Sequence, residues 1–170
     1  MMVRPGGYDI RKYAGRERLP EDLPWSSHIA LPNPFGIQLV VDPSEIDGFG
    51  HVNNTVYPRW LEACAWAHSE AVGLSPARCV ELGRGMALRS LEVEFLRPAF
   101  VGQAITVLNW LTKVDRLRAE RRFQVFCDES AQPLAHGKAQ YVCIDLATGG
   151  PTRMPPAFIA GYQVTAVVRD

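Results

Sequence analysis

The chain of 170 residues is long enough for one domain with a substantial core, because a domain of this size buries roughly two thirds of its unfolded surface. Its 18 basic and 18 acidic residues balance, which argues against binding to nucleic acid or to an anionic membrane surface. The four cysteines form no C-x-x-C pair, and no apolar run has the length of a signal-peptide core or a membrane span. We therefore expect a cytoplasmic domain with free thiols.

The first 34 residues have the composition of an irregular arm. Five prolines and two adjacent glycines interrupt this segment, and neither a helical nor a strand period is sustained. The β-rich run FGIQLVVD, residues 35–42, predicts the first strand of the domain. We therefore divide the chain into an N-terminal arm, residues 1–34, and a folded domain, residues 35–170.

The segment VYPRWLEACAWAHSEAVG, residues 56–73, predicts a helix. Pro58 suits the first turn, where its missing N–H costs nothing, and Gly73 suits the C-terminal end. Apolar residues leave this helix with little polar face, which is typical of a helix that is buried on most sides.

Four strands are predicted after Gly85, where the apolar period changes to two. Met86 and Leu88 are out of phase with Leu91, which predicts a bulge near Ser90. The connections between strands are short and favour antiparallel neighbours. The order of elements therefore predicts an α+β domain, in which an antiparallel sheet wraps around one long central helix. The closing segment AFIAGYQVTAVV fits either a last turn of helix or an edge strand.

Most common catalytic motifs are absent from the chain. It has no G-x-S-x-G, no Walker loop, no G-x-G-x-x-G after a strand and no H-E-x-x-H. Cys64 and His68 lie one helical turn apart, but a pair of ligands without a third is more typical of core packing. We therefore predict neither a metal site nor a Cys-His nucleophile.

The stretch DGFGHVNN, residues 47–54, combines a carboxylate with the start of the predicted helix. The glycines allow a tight loop, and Asn53 or Asn54 suits the helix cap. The first N–H groups of a helix lack intrahelical acceptors, so Asp47 would lie beside an acceptor site for an oxyanion, as acyl transfer requires. A simple turn with a capping asparagine explains the same residues equally well. The residues alone leave both readings open.

The string DGFGHVNNTVY resembles the signature of hotdog-fold thioesterases, in the branch that includes 4-hydroxybenzoyl-CoA thioesterase. The connection in FLRPAFVGQAITV and the ending CIDLATGGPTRMPP are also similar to this family, so the resemblance covers roughly residues 35–160. It implies a hotdog fold, hydrolysis of an acyl-CoA thioester without a cofactor or metal, and a homodimer or homotetramer. CoA would be part of the substrate.

The resemblance also assigns roles to residues. Asp47 falls on the catalytic carboxylate, as general base or nucleophile, and the backbone N–H of Asn54 falls on the oxyanion site. Plant acyl-carrier-protein thioesterases share the longer string D-x-N-x-H-V-N-N-x-x-Y, which adds His51 as a catalytic candidate, although Phe49 replaces its asparagine. Glu62 is a weaker candidate for a second acid, because another hotdog branch uses a helix glutamate. A polar residue paired at a subunit contact explains Glu62 more simply.

The resemblance to hotdog-fold thioesterases also implies two sets of substrate contacts, one for the acyl group and one for CoA. Residues near the acyl pocket would be Gly50, Val52, Asn53 and Tyr57. The phosphates of CoA need surface cations, and the densest group in the sequence is Lys113, Arg116, Arg118, Arg121 and Arg122. A solvated strand edge is the simpler explanation of the same residues. Arg118 and Arg122 are expected to share one face of a strand.

Two other functions compete with acyl-CoA hydrolysis. The HVNN string suggests an acyl-acyl carrier protein thioesterase, which substrates on the two carriers would distinguish. A hotdog module that binds acyl-CoA without turnover is the second alternative. A hydratase fits less well, because Asp47 and His51 are one residue closer than its usual Asp-x-x-x-x-His spacing.

Overall fold

The computed structural model describes the backbone of residues 11–13 and residues 23–168 in full. Six antiparallel strands form one sheet with the order β1-β2-β4-β5-β6-β3. The strands are β1 Arg11–Tyr13, β2 Phe35–Val40, β3 Arg84–Phe95, β4 Ala104–Val114, β5 Arg118–Cys127 and β6 Pro133–Asp145. The sheet wraps around one long helix, α1, which spans Val56–Ala71. This arrangement confirms the predicted α+β hotdog fold.

The central helix is buried because most of its residues are small or apolar. Ten of its 16 residues are buried, including Trp60, which is 0% exposed. Gly137 on β6 lets the sheet approach α1, since a Cβ at this position would lie 2.8 Å from Leu61 Cδ1. The helix ends as predicted, with Gly73 just beyond it at φ +84°.

The predicted bulge in β3 is confirmed. The pairing of β3 with β6 shifts between Leu88 and Ser90, so one extra residue is accommodated there. A second shift between Leu111 and Lys113 interrupts the pairing of β4 with β5. Both irregularities bend long strands, which helps the sheet to curve around α1.

Two short α-helices and two 3-10 helices, Ser26–His28 and Pro43–Glu45, complete the described fold. Helix α2, Pro76–Leu82, was not predicted, although Ser75 caps it by accepting a hydrogen bond from the Arg78 N–H at 3.2 Å. The closing segment, predicted as either a helical turn or an edge strand, forms the short helix α3, Pro156–Gly161. Among residues 23–168, no helix has both the length and the apolar character that crossing a bilayer requires.

The described part of the arm covers the outer face of the sheet. Trp25 is fully buried and stacks on Phe126 with ring centroids 4.9 Å apart. The indole N–H of Trp110 donates to the Pro32 carbonyl at 2.9 Å. The arm is also less irregular than predicted, because β1 lies within it and pairs with β2. The rest of residues 1–34 lies outside the described part of the chain.

Candidate active site

A closed loop precedes α1, and we call residues 45–55 the Asp47 loop. Ile46 and Val52 form an antiparallel bridge, and the Asp47 N–H donates to the His51 carbonyl at 2.8 Å. The Gly50 N–H donates back to the Asp47 carbonyl at 3.1 Å, with Gly50 at φ +80°. This positive φ favours glycine, so the DGFG sequence fits a tight turn that fixes the backbone of Asp47.

The carboxylate of Asp47 is half-buried and oriented by its own turn. Its Oδ1 accepts a hydrogen bond from the Phe49 N–H at 2.8 Å and a longer one from the His51 N–H at 3.4 Å. Within residues 23–168, Oδ2 has no hydrogen-bond partner. One carboxylate oxygen therefore holds the turn, and the other is available to a ligand or a water.

The start of α1 differs from the predicted cap. The N-cap residue is Thr55, not Asn53 or Asn54, and its side chain makes no capping hydrogen bond. Asn53 instead accepts hydrogen bonds through Oδ1 from the Thr55 N–H at 2.9 Å and the Thr55 hydroxyl at 2.8 Å. Asparagine side chains commonly accept such hydrogen bonds from the residue two positions on, which forms a local turn. Here the turn begins at Asn53, two residues before the N-cap.

The backbone N–H of Asn54 lacks an acceptor in the described part of the chain. Its neighbours are all bonded: the Asn53 N–H donates to the Glu45 carbonyl and the Val56 N–H to the Asn53 carbonyl, each at 2.9 Å. Thr55 N–H is held by Asn53 Oδ1. One unsatisfied N–H therefore remains at the positive end of α1, where it suits a developing negative charge.

Glu45 anchors this loop to the helix and was not singled out in the sequence. It is only 4% exposed, and its Oε2 accepts a hydrogen bond from the Asp42 N–H at 3.0 Å. Its Oε1 accepts from the Trp60 indole at 3.3 Å, and Arg59 lies 3.8 Å away. The string DPSE is a capping box, so this signal was present in the sequence.

The other candidate residues of the loop and of the first turn of α1 have different surroundings. Val52 and Tyr57 are 3% and 2% exposed and lie in the core of the single chain. Burial raises the pKa of Tyr57. The His51 ring is half-buried and packs edge-on against Phe100, with centroids 5.3 Å apart. Phe49, which replaces the asparagine of the plant string, is 88% exposed.

A second polar group lies between the sheet and the C-terminal half of α1. We call it the Arg121 cluster, and it consists of His68, Ser69, Asn109, Arg121 and Tyr162. The Arg121 guanidinium contacts His68 Nδ1 at 2.6 Å and donates to Asn109 Oδ1 at 2.7 Å. The Ser69 and Tyr162 hydroxyls share a hydrogen bond of 2.9 Å. Arg121 is 4% exposed, so this cluster is part of the interior.

Desolvation controls the ionisation of this interior region. Burial, followed by the neighbouring charge of Arg121, lowers the pKa of His68 to about 3. Burial raises the pKa of the Cys64 thiol to about 12. A neutral imidazole and a protonated thiol pack here beside one guanidinium. Within residues 23–168, no three His, Cys, Asp or Glu side chains are grouped to hold a metal ion.

The position of Arg121 corrects the predicted group of surface cations. It faces α1, so it does not belong with residues that would meet CoA phosphates. Lys113, Arg116 and Arg118 are exposed near the β4–β5 turn. Arg122 lies on the opposite side of β5 from Arg121, where it contacts Glu120 at 3.2 Å.

Two adjoining hollows follow the face of α1 that the sheet leaves open. The first is lined by Pro58, Arg59, Leu61, Glu62, Ala63, Leu88, Leu91 and Tyr141. The second shares Glu62 and Tyr141 with it and reaches Arg121 and Tyr162. The exposed Glu62 carboxylate accepts a hydrogen bond from the Trp66 indole at 3.0 Å. Side chains from α1, α2 and three strands, together with Tyr162, therefore enclose a mostly apolar space.

Comparison with known families gives one match over most of the chain. Residues 41–161 match the model of the Thioesterase-like superfamily. This range contains the Asp47 loop, α1 and every residue of the Arg121 cluster except Tyr162, and it leaves the arm outside.

Individual proteins show the same relationship. A Synechocystis sp. protein that carries an esterase name, sll0410, is 30% identical over 123 residues, which cover 72% of this chain and 74% of that protein. Acyl-acyl carrier protein thioesterase ATL2 of Arabidopsis thaliana is 26% identical over 70% of this chain and 63% of its own length. The structure of Slr0204, a 1,4-dihydroxy-2-naphthoyl-CoA thioesterase from Synechocystis, superposes with a TM-score of 0.70 at 22% identity, over 76% of this chain and 95% of that one.

Proposed function

Because this chain belongs to the Thioesterase-like superfamily and its enzyme class is that of a thioesterase, we propose that it hydrolyses acyl-CoA thioesters at the Asp47 loop. One observation carries this proposal. The Asp47 loop, which backbone hydrogen bonds hold in place, contains both the half-buried Asp47 carboxylate and the unsatisfied N–H of Asn54. Similarity to a 1,4-dihydroxy-2-naphthoyl-CoA thioesterase supports the fold. That the acyl group of the substrate is carried by CoA is part of our proposal.

The proposed reaction needs only groups of the chain and water. Asp47 takes a proton from water, whose oxygen forms a bond with the thioester carbonyl carbon. The carbonyl oxygen becomes negative and is stabilised by the Asn54 N–H at the positive end of α1. The C–S bond then breaks, the thiolate of CoA takes up the proton, and the carboxylic acid is released. Direct attack by Asp47 on the carbonyl is the other route that the same geometry supports.

Five further residues, four of the loop and one in the first turn of α1, receive proposed roles. Gly50 and Asn53 would shape the space beside the thioester, because they form the turn and the helix entry that enclose it. Val52 and Tyr57 would support this wall from within the core. His51 would assist catalysis only through a change of its packing on Phe100, so we expect it to matter less than Asp47.

The test is release of free thiol from aliphatic and aromatic acyl-CoA esters by wild type, Asp47→Asn and Asp42→Asn. Asparagine preserves the acceptor for the Phe49 N–H but cannot act as base, so Asp47→Asn should lose about 10²- to 10⁴-fold in kcat. Asp42 is an exposed aspartate at a 3-10 helix cap, where asparagine serves equally well, so that control should keep full activity. Equal turnover by all three proteins would exclude Asp47 as base or nucleophile.

An acyl-acyl carrier protein is the second candidate substrate, favoured by the similarity to ATL2. The same acyl group presented on CoA and on carrier protein decides between the two. A higher kcat/KM on the carrier protein would replace CoA in the proposal. Tight acyl-CoA binding without turnover on either carrier would identify a binding module.

A further inference from the structure

Arg121 is a buried cation whose described partners are all neutral. Its guanidinium contacts an amide oxygen of Asn109, a ring nitrogen of His68 and, at 3.5 Å, the Ser69 hydroxyl. His68 is uncharged at neutral pH, because burial and Arg121 itself lower its pKa to about 3. Within residues 23–168, Arg121 forms no ion pair with a carboxylate. The interior therefore holds one positive charge without a described counter-ion.

Such a charge is expensive unless something compensates it. Desolvating a guanidinium costs several kcal/mol, and neutral hydrogen bonds offset this only in part. The rings of Tyr141 and Tyr162 add weak cation–π contacts, with centroids 6.0 and 5.6 Å from the guanidinium carbon. The strongest compensation would come from an anion that reaches Arg121 from the adjacent hollow.

The hollow beside Arg121 has the composition of an acyl site. Met86, Ala65 and the aromatic rings of Trp66 and Tyr141 line it, and Arg121 is its buried cation. It adjoins the first hollow at Glu62 and Tyr141, and that hollow extends to Pro58 in the first turn of α1. From Val56, where α1 begins, to Ser69 the path follows thirteen residues, or about 20 Å of helix.

We propose that Arg121 binds a carboxylate at the far end of the acyl chain, so that long ω-carboxyacyl thioesters are preferred substrates. The chain would lie along the open face of α1, with its thioester at the Asp47 loop and its terminal carboxylate on the guanidinium. Glu62 opposes an anion on this path, but it lies on the exposed rim, where solvent screens its charge. This inference rests on the proposed thioesterase function, and it names the substrate class.

The experiment compares pairs of CoA esters that differ only in a terminal carboxylate: butyryl with succinyl, lauroyl with dodecanedioyl, and palmitoyl with hexadecanedioyl. For wild type, the carboxylate should raise kcat/KM about 10- to 100-fold in the long pairs, as expected for a charge-assisted contact. The short pair should show no gain, because succinyl cannot span the helix. A long diacid ester that is no better than its plain partner overturns the inference and leaves acyl-CoA hydrolysis intact.

Three variants assign the effect to the guanidinium. Arg121→Met roughly preserves volume and should abolish the preference. Because it leaves the buried acceptors of Asn109 and His68 unpaired, its folding is checked by circular dichroism. Asn109→Asp places a carboxylate on the guanidinium from inside the chain, so it should also abolish the preference while keeping Arg121. Arg121→Lys should retain part of it. A preference that persists in both Arg121→Met and Asn109→Asp would place the anion site elsewhere and overturn the inference.

Calorimetry separates this inference from the proposed function. If wild type hydrolyses no ester, binding of monomethyl dodecanedioate is measured against dimethyl dodecanedioate, because the two ligands differ only in one terminal carboxylate. Tighter binding of the monomethyl ester that is lost in Arg121→Met and Asn109→Asp supports the carboxylate site without any turnover. Equal binding of the two ligands overturns it.

Discussion

The Asp47 loop and the Arg121 cluster lie at opposite ends of the same helix and are built in opposite ways. The loop is closed by backbone hydrogen bonds among residues close in sequence, such as the Asp47 N–H to the His51 carbonyl at 2.8 Å. The cluster is held by side chains from α1, β4 and β5 and by Tyr162, which lies 93 residues from its partner Ser69. The loop therefore depends on backbone conformation, whereas the cluster depends on charge in a desolvated interior.

Each region contains an asparagine, Asn109 in the Arg121 cluster and Asn54 in the Asp47 loop. Their replacement by alanine gives the largest predicted contrast in the free energy of unfolding. Asn109 is fully buried, accepts from Arg121 at 2.7 Å and donates to Cys64 Sγ at 3.1 Å. Asn109→Ala removes both contacts and leaves a cavity, so we expect it to lower the free energy of unfolding by about 3 kcal/mol.

Asn54→Ala is the matched control for this prediction. The Asn54 side chain is exposed, so the change should stay within about 0.5 kcal/mol. Urea denaturation of both variants measures the difference. Equal losses would mean that the cluster is no more sensitive than the loop.

The second contrast is the response to acid. His68 has a pKa of about 3 in the folded protein and about 6.5 when unfolded, so only the unfolded chain takes up its proton as pH falls between these values. The contribution of neutral His68 to stability is present above pH 6.5 and is lost below it, with a slope of up to about 1.4 kcal/mol per pH unit. By pH 4.5 we expect a loss of about 2–3 kcal/mol.

Urea denaturation between pH 7 and 4.5 tests this response, with His68→Gln as the comparison. The variant should show a flatter profile, because it has no imidazole to protonate. Carboxyl groups begin to titrate near the lower end of this window, but their contribution is common to both proteins and cancels in the comparison. Identical slopes for the two proteins would contradict a buried, neutral His68.

The smallest predicted effect belongs to the two glycines of the loop. Gly50→Ala forces a side chain into φ +80°, which should cost about 1 kcal/mol and reduce thiol release by displacing Asp47. Gly48 has no positive φ, and a Cβ there would meet nothing within 4 Å. Gly48→Ala should therefore change stability and turnover little. Thermal denaturation and thiol release distinguish the pair, and equal behaviour would remove the conformational argument for DGFG.

The two regions also differ in how far they could be predicted. The Asp47 loop was found as a motif, because its carboxylate, glycines and asparagines are adjacent in the chain. The predicted N-cap of α1 was wrong, because several neighbouring residues suit that position. The N-cap is Thr55, while Asn53 forms the turn before it. The catalytic roles of Asp47, Asn54 and His51 stay predictions.

The Arg121 cluster was missed for a physical reason. In a run of basic residues, alternate positions of a strand face opposite sides of the sheet, but the run itself does not show which side is covered. Arg121 was therefore grouped with surface cations, although it is 4% exposed and contacts α1. Only the pairing of β5 between β4 and β6 places it opposite His68 and beside Asn109.

Local chemistry by itself determined the central helix, the antiparallel strands, the bulge near Ser90 and the loop that holds Asp47. These features follow from apolar periodicity, glycine and proline positions, and short connections, all of which act over a few residues. Tertiary structure decided what the interior contains: the cation on Arg121, the neutral His68, the anchoring of the loop through Glu45 and Trp60, and the covering of the sheet by Trp25. These depend on desolvation and on contacts between residues far apart in the chain, which exist only once the sheet has closed around the helix.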